Sequence, residues 1–143
     1  MYNVMHRLYI GLGSNLGNRK ALITEALRLV DLCVGHIESI SSFYETEPWG
    51  FQSAHPFLNA AALVITRLSP NECLTATQRI ERQLGRTQKS TDRQYHDRTI
   101  DIDLLLYDDL HIQTEKLTLP HPLIEERDFV KKPLSDLGVI CLK

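Results

Sequence analysis

A chain of 143 residues, 43% apolar and 24% charged, is long enough to bury one core without disulfide or metal staples, and its make-up is that of a globular domain rather than a disordered one. The formal charge of -2 excludes a broad attraction to nucleic acid or anionic membrane, so any anion must be held by local clusters of Arg and Lys. Cys33, Cys73 and Cys141 are odd in number and lie far apart without CxxC spacing, which indicates neither a disulfide framework nor a zinc site and reads them as small buried or half-buried apolar residues.

Met1 to Leu8 hold no signal-peptide run and no segment reaches transmembrane length, so the expected location is the cytoplasm and the expected organisation one domain over 1–143. Arg7 to Leu12 reads as a strand. It runs into Gly13 Ser14 Asn15 Leu16 Gly17 Asn18, a turn that either connects strand to helix or presents backbone N–H groups to a ligand; it lacks the endings of a P-loop or a GxGxxG fingerprint. Asn18 can cap a helix over Arg19 to Cys33, where Leu22, Ile23, Ala26, Leu27, Val30 and Cys33 form an apolar stripe and Gly35 serves as a stop. His36 to Tyr44 carries a moderate strand signal. Glu45 to Pro56 is set by Pro48, Gly50 and Pro56 against regular structure, and its Trp49 and Phe51 either line a pocket for a planar ligand or fold back on the domain.

Phe57 to Thr66 is a strongly apolar strand with one polar intruder, Asn59, which must either brace the adjacent loop or read the polar edge of a ligand. Ser69 Pro70 Asn71 Glu72 is a capping box with proline at the first helical position, opening a helix to about Leu84. Its inward residues are Leu74, Thr77, Ile80 and Leu84, with Gln78, Glu81 and Arg82 on or near another face. The thirteen residues from Gly85 to Asp97 show no apolar periodicity and carry Arg86, Lys89, Arg93, Tyr95 and His96, a cationic loop suited to covering phosphates.

Arg98 to Tyr107 alternates with a period of two through its first half, the pattern of a half-buried strand. Ile100, Ile102, Leu104 and Leu106 share one face, while Asp101 and Asp103 share the other at about 7 Å along the strand. Two carboxylates held side by side suit a hard divalent cation such as Mg²⁺, although an isolated Asp-x-Asp equally suits a solvated sheet face. Leu110 to Leu119 reads as a β ribbon ending in Pro120 His121 Pro122, and Leu123 to Leu137 as one or two short helices. The order βαββαβ plus a tail predicts an α+β ferredoxin-like sandwich: an antiparallel sheet with both long helices on one face, the other face open with the Asp pair on or at its rim, and short C-terminal helices.

Seven segments in this order resemble the 6-hydroxymethyl-7,8-dihydropterin pyrophosphokinase family over about residues 8 to 137. They are Gly11–Gly17, Ser42–Gly50, Phe57–Ala61, Gln78–Glu81, the Arg86 loop, Arg98–Asp103 and Lys116–Pro122. The resemblance implies the ferredoxin-like fold and transfer of the β,γ-pyrophosphoryl group of ATP to the pterin's hydroxymethyl group, releasing AMP, in folate biosynthesis. It implies Asp101 and Asp103 as ligands of two Mg²⁺ ions, and Arg86 and Arg98 as catalytic cations. Gln78, Glu81, Arg86, Arg98, Lys116, Thr118, His121 and Arg127 fall at nucleotide-side positions. Phe57 and Phe129 match the rings that sandwich the pterin, Asn59 its polar-edge reader, and Gly13, Thr46, Pro48, Trp49 and Tyr95 the remaining pterin wall. It also implies a monomer without nucleic-acid or membrane partners. Tyr95 His96 Asp97 stands where the family often has Trp-Gly-Pro, and Phe57 where it often has tyrosine. A base-stacking nucleic-acid module of the same sandwich type would need a basic sheet face, and here the comparable strand carries two acids.

Overall fold

The computed structural model describes residues 4–46, 56–85, 99–124 and 127–139, with the side chain of Phe129 left out. Strand β1 (His6–Ser14) leads into helix α1 (Arg19–Cys33), followed by β2 (Gly35–Ile40), β3 (Tyr44–Thr46), β4 (Phe57–Thr66), α2 (Pro70–Gln83) and β5 (Asp101–Tyr107). A two-stranded ribbon, β6 (Ile112–Gln113) and β7 (Thr118–Leu119), and helix α3 (Asp128–Asp136) follow among the described residues. The main sheet runs β2-β4-β1-β5, with β3 paired to β4 beyond β2, and every pairing is antiparallel. This is the ferredoxin-like order. No helix among the described residues is long and apolar enough to cross a membrane.

The helix starts follow from local chemistry. Asn18 Oδ1 accepts from the Ala21 amide, and Ser69 and Glu72 form the reciprocal capping box. Ile23, Ala26 and Val30 of α1 and Cys73 and Ile80 of α2 are buried against Leu8, Ile10, Leu12, Ala60, Ala62, Val64, Ile102 and Leu104 of the sheet. Gly35 opens β2 rather than stopping α1, whose cap is Val34. A β-carbon at Gly35 would overlap the Ile65 carbonyl, so the reason for glycine is close backbone approach.

The structure corrects four expectations. Leu106 does not share the face of Ile102 and Leu104: Tyr9 pairs with Leu106 and Ile10 with Leu104, which leaves Leu105 as an extra residue, a β-bulge. Beyond that bulge the alternation is broken, and Leu105 and Leu106 belong to a second apolar cluster with Ala61, Ile124 and Leu134. That cluster means the second face is not wholly open, because α3 covers part of it. Cys33 is exposed, since its position at the end of α1 has already turned past the core. Glu81, expected on or near a face other than the inward one, is buried at 8% exposure because its carboxylate serves a strand amide.

Candidate active site

The open part of the second face is built from cross-strand rows. Asp101 of β5 lies opposite Gly13 of β1, Gly13 opposite Asn59 of β4, and Asn59 opposite Tyr44 of β3. In the next row Asp103 lies opposite Gly11, and Gly11 opposite Ala61. Residues paired in register project to the same side, so the carboxylates, the glycines and Asn59 share one surface. Two strand spacings, about 10 Å, separate Asp101 from Asn59. A β-carbon at Gly13 would stand 3.0 Å from Asn59 Oδ1 and 3.7 Å from a Phe57 ring carbon. Glycine therefore keeps a flat floor between the amide, the ring and the acids.

Asn59 donates from Nδ2 to Thr46 Oγ1 at 2.8 Å. Of the two roles open to it, the brace is thus occupied on one side of the amide, while Oδ1 faces the position above Gly13. Phe57, paired with Thr46, is half-buried beside it. Asp136 of α3 accepts from the Tyr44 hydroxyl at 2.7 Å and the Ser42 amide at 3.0 Å. Those two bonds hold its carboxyl below the usual carboxylate range. They tie α3, the helix that contains Phe129, to the strand that carries Thr46.

β5 is the edge strand of the main sheet, and beyond its free edge lies a cleft of about 570 Å³ between α2, β5 and the ribbon. Gln78, Glu81, Asp101, Asp103, Lys116, Thr118 and His121 line it. The volume lies within the range of small-ligand pockets. Gln78 and Glu81 are three residues apart on α2, which puts both on the side facing β5. Glu81 Oε2 accepts the Ile102 amide at 2.6 Å, and Ile102 is the residue between the two aspartates. The strand edge that carries the acid pair is therefore held by a carboxylate where another strand would otherwise lie.

His121 donates its backbone N–H to Leu105 O at 2.9 Å, and its Nδ1 accepts the Leu123 amide at 3.1 Å. In the neutral ring the proton thus sits on Nε2. Burial pushes the imidazole pKa down, against the upward pull of the Asp101 carboxylate. Lys116 is exposed and Thr118 and Arg127 are half-buried, Arg127 at the N-cap of α3.

The structure therefore brings Gly13, Thr46, Phe57 and Asn59 together on one side of the Asp pair, and Gln78, Glu81, Lys116, Thr118 and His121 on the other. Pro48, Trp49, Arg86, Tyr95 and Arg98 lie outside the described residues, as does the cationic loop. Two half-exposed carboxylates are a hard oxygen donor set of the kind that holds Mg²⁺ together with substrate phosphates; no group of three metal-ligating side chains occurs among the described residues. Sequence reasoning passed over Arg19. Its partners are Glu45 Oε2 at 2.7 Å and Pro56 O at 2.9 Å, the latter 37 residues away, and no local pattern announces so distant a contact.

A ferredoxin-like sheet whose edge strand sets two carboxylates between a glycine floor and a polar cleft has the oxygen donors and the volume for a small ligand held through a divalent cation. The comparisons with known proteins make the class particular. The family described as 7,8-dihydro-6-hydroxymethylpterin-pyrophosphokinase (HPPK) matches residues 9–139, and the chain belongs to that family. It is 53% identical over 132 residues to the 2-amino-4-hydroxy-6-hydroxymethyldihydropteridine pyrophosphokinase of Porphyromonas gingivalis, covering 92% of this chain and 90% of that relative. The Bacillus subtilis protein of the same name is 41% identical over 130 residues, covering 90% and 76%. In fold, the chain is similar to an HPPK-DHPS triple mutant of Plasmodium falciparum, with a TM-score of 0.76 at 17% identity. It covers 95% of this chain and 40% of that one, so the present chain spans less than half of that structure. The chain is thus an enzyme of the pyrophosphokinase kind, and its reaction is pyrophosphate transfer to hydroxymethyldihydropterin in folate biosynthesis.

Proposed function

We propose that the cleft beyond β5 takes ATP, that the platform over Gly13 takes the pterin, and that Asp101 and Asp103 hold Mg²⁺, two ions in all, where the substrates meet. The observation that carries this reading is the row Asp101, Gly13, Asn59, which sets the acid pair one strand from the floor and two from the polar-edge reader, with the cleft on its other side. Phe57 gives one stacking surface for a planar ring, and Phe129 is its counterpart from α3. Asn59, braced by Thr46, offers Oδ1 to the ring's donor edge. Gln78, Glu81, Thr118 and His121 contact the nucleotide, with Lys116, Arg127, Arg86 and Arg98 countering phosphate charge.

In the reaction the hydroxymethyl oxygen bonds to the β-phosphorus as the bond from that phosphorus to the α,β-bridging oxygen breaks. AMP leaves with that oxygen and the hydroxyl proton passes to solvent. Bound Mg²⁺ neutralises phosphate charge in such a transfer. The chain's own part is alignment, which is what a rigid sheet edge beside the cleft supplies.

The test is AMP release from Mg-ATP with and without 6-hydroxymethyl-7,8-dihydropterin. AMP formed only when both are present is expected, and Asp101→Asn or Asp103→Asn should lower turnover about 100-fold or more, since a lost metal contact removes several kcal/mol of stabilisation. Near-normal AMP formation by both variants would overturn the metal assignment.

A further inference from the structure

Arg19 holds both ends of the chain segment that joins β3 to β4. Its Nη2 lies 2.7 Å from Glu45 Oε2, and its Nη1 donates to the Pro56 carbonyl at 2.9 Å. Glu45 immediately precedes Thr46, and Pro56 immediately precedes Phe57; Thr46 and Phe57 face each other in register as the last pair of a three-residue ladder. Thr46 in turn accepts from Asn59. The end of a short ladder is where strands fray, so two contacts from one side chain at this point matter more than they would in mid-sheet. Arg19 also stands in the first turn of α1, which has no acidic residue, where the helix dipole disfavours a cation. A locally unfavourable residue with two long-range partners marks a position chosen for those partners.

From this geometry we infer that Arg19 is a positioning residue for the pterin site: it fixes the spacing between Thr46 and Phe57 and through them the attitude of Asn59. The inference rests on the reading of these three residues as the pterin wall. A guanidinium is required because its two Nη atoms reach two separate acceptors from one planar fork, whereas an ammonium is a single point donor. The side chain touches no reacting atom, so it acts on pterin affinity and not on the transfer step.

The test compares wild type, Arg19→Ala, Arg19→Lys and Glu45→Gln. The readouts are KM for the pterin, Kd for 6-hydroxymethyl-7,8-dihydropterin by its fluorescence, Kd for a non-hydrolysable methylene analogue of ATP, kcat, and the thermal midpoint. For Arg19→Ala, pterin KM and Kd should rise about tenfold, the loss expected when a charge-assisted contact goes, while kcat and the ATP-analogue Kd stay within about twofold. Arg19→Lys should recover only part of the loss, and Glu45→Gln, which keeps an acceptor and removes the charge, should show a smaller rise of the same selective kind. A pterin Kd within about twofold of wild type in Arg19→Ala overturns the inference. So does a parallel weakening of pterin and ATP analogue with a lowered midpoint, which is the mark of general support. If Arg19→Ala does not fold, the same criteria apply to Arg19→Lys and Glu45→Gln. Failure of the functional reading itself would show separately, as wild type that forms no AMP from Mg-ATP and the pterin.

Discussion

Removing the Glu81 carboxylate tests how the acid pair is held. In Glu81→Ala the Ile102 amide loses its 2.6 Å acceptor at a site that is 8% exposed. An amide left unsatisfied in such a place costs about 1–3 kcal/mol, and the bond lost is to a charged acceptor, which puts the expectation at the upper end, about 2–3 kcal/mol. For a chain of this size that corresponds to a fall of roughly 6–12 °C in the thermal midpoint. Glu81→Gln keeps an oxygen at the same reach and should lose only about 1 kcal/mol. Because Ile102 lies between Asp101 and Asp103, loosening this edge should also raise the Mg²⁺ concentration needed for half-maximal AMP formation in Glu81→Ala, and much less in Glu81→Gln. Thermal melts in the absence of ligand, followed by Mg²⁺ titrations of turnover, provide both readings. A midpoint within about 2 °C of wild type for Glu81→Ala would refute the brace. If ATP binding alone were lost with stability intact, Glu81 would serve only as a nucleotide contact, without supporting β5.

Two further outcomes follow from the same geometry. Gly13→Ala places a methyl 3.0 Å from Asn59 Oδ1 on the platform floor, so pterin Kd should rise by at least about tenfold with ATP-analogue Kd nearly unchanged; equal effects on both ligands would contradict a pterin floor. His121 has its folded pKa below the ordinary value of 6.5. As pH falls through that value the unfolded chain takes up the proton before the folded one does, so stability declines with falling pH until the folded pKa is passed. Melts between pH 7.5 and 5.5 should show a shallower decline in His121→Gln than in wild type, and parallel curves would refute the assignment.

The regular parts of the fold were legible from the sequence because they rest on local rules. The capping box at Ser69, the Asn18 cap, the apolar run of β4 and the alternation that opens β5 each involve residues a few positions apart, and each element lies where those patterns predict it. The Asp101 and Asp103 face was equally plain, since on a strand parity alone decides it. What escaped was whatever depends on a partner distant in the chain. Parity fails for Leu106 because the bulge at Leu105 is a property of the β1–β5 register and not of β5 by itself. Nothing in the spacing of α2 shows that Glu81 braces a strand until the helix is set against the edge of β5, where an N–H must find an acceptor. Arg19 reads as an ordinary helical cation until β3 and β4 bring Glu45 and Pro56 to it. The sequence by itself determined the two long helices, β1, β4, the opening of β5 and their order, because these follow from spacing along the chain; only the tertiary structure divided the strand expected over His36 to Tyr44 into β2 and β3, carried β3 into Glu45 and Thr46, turned Leu106 to the second face and decided which side chains brace the site, because partners across a sheet are chosen by register and packing.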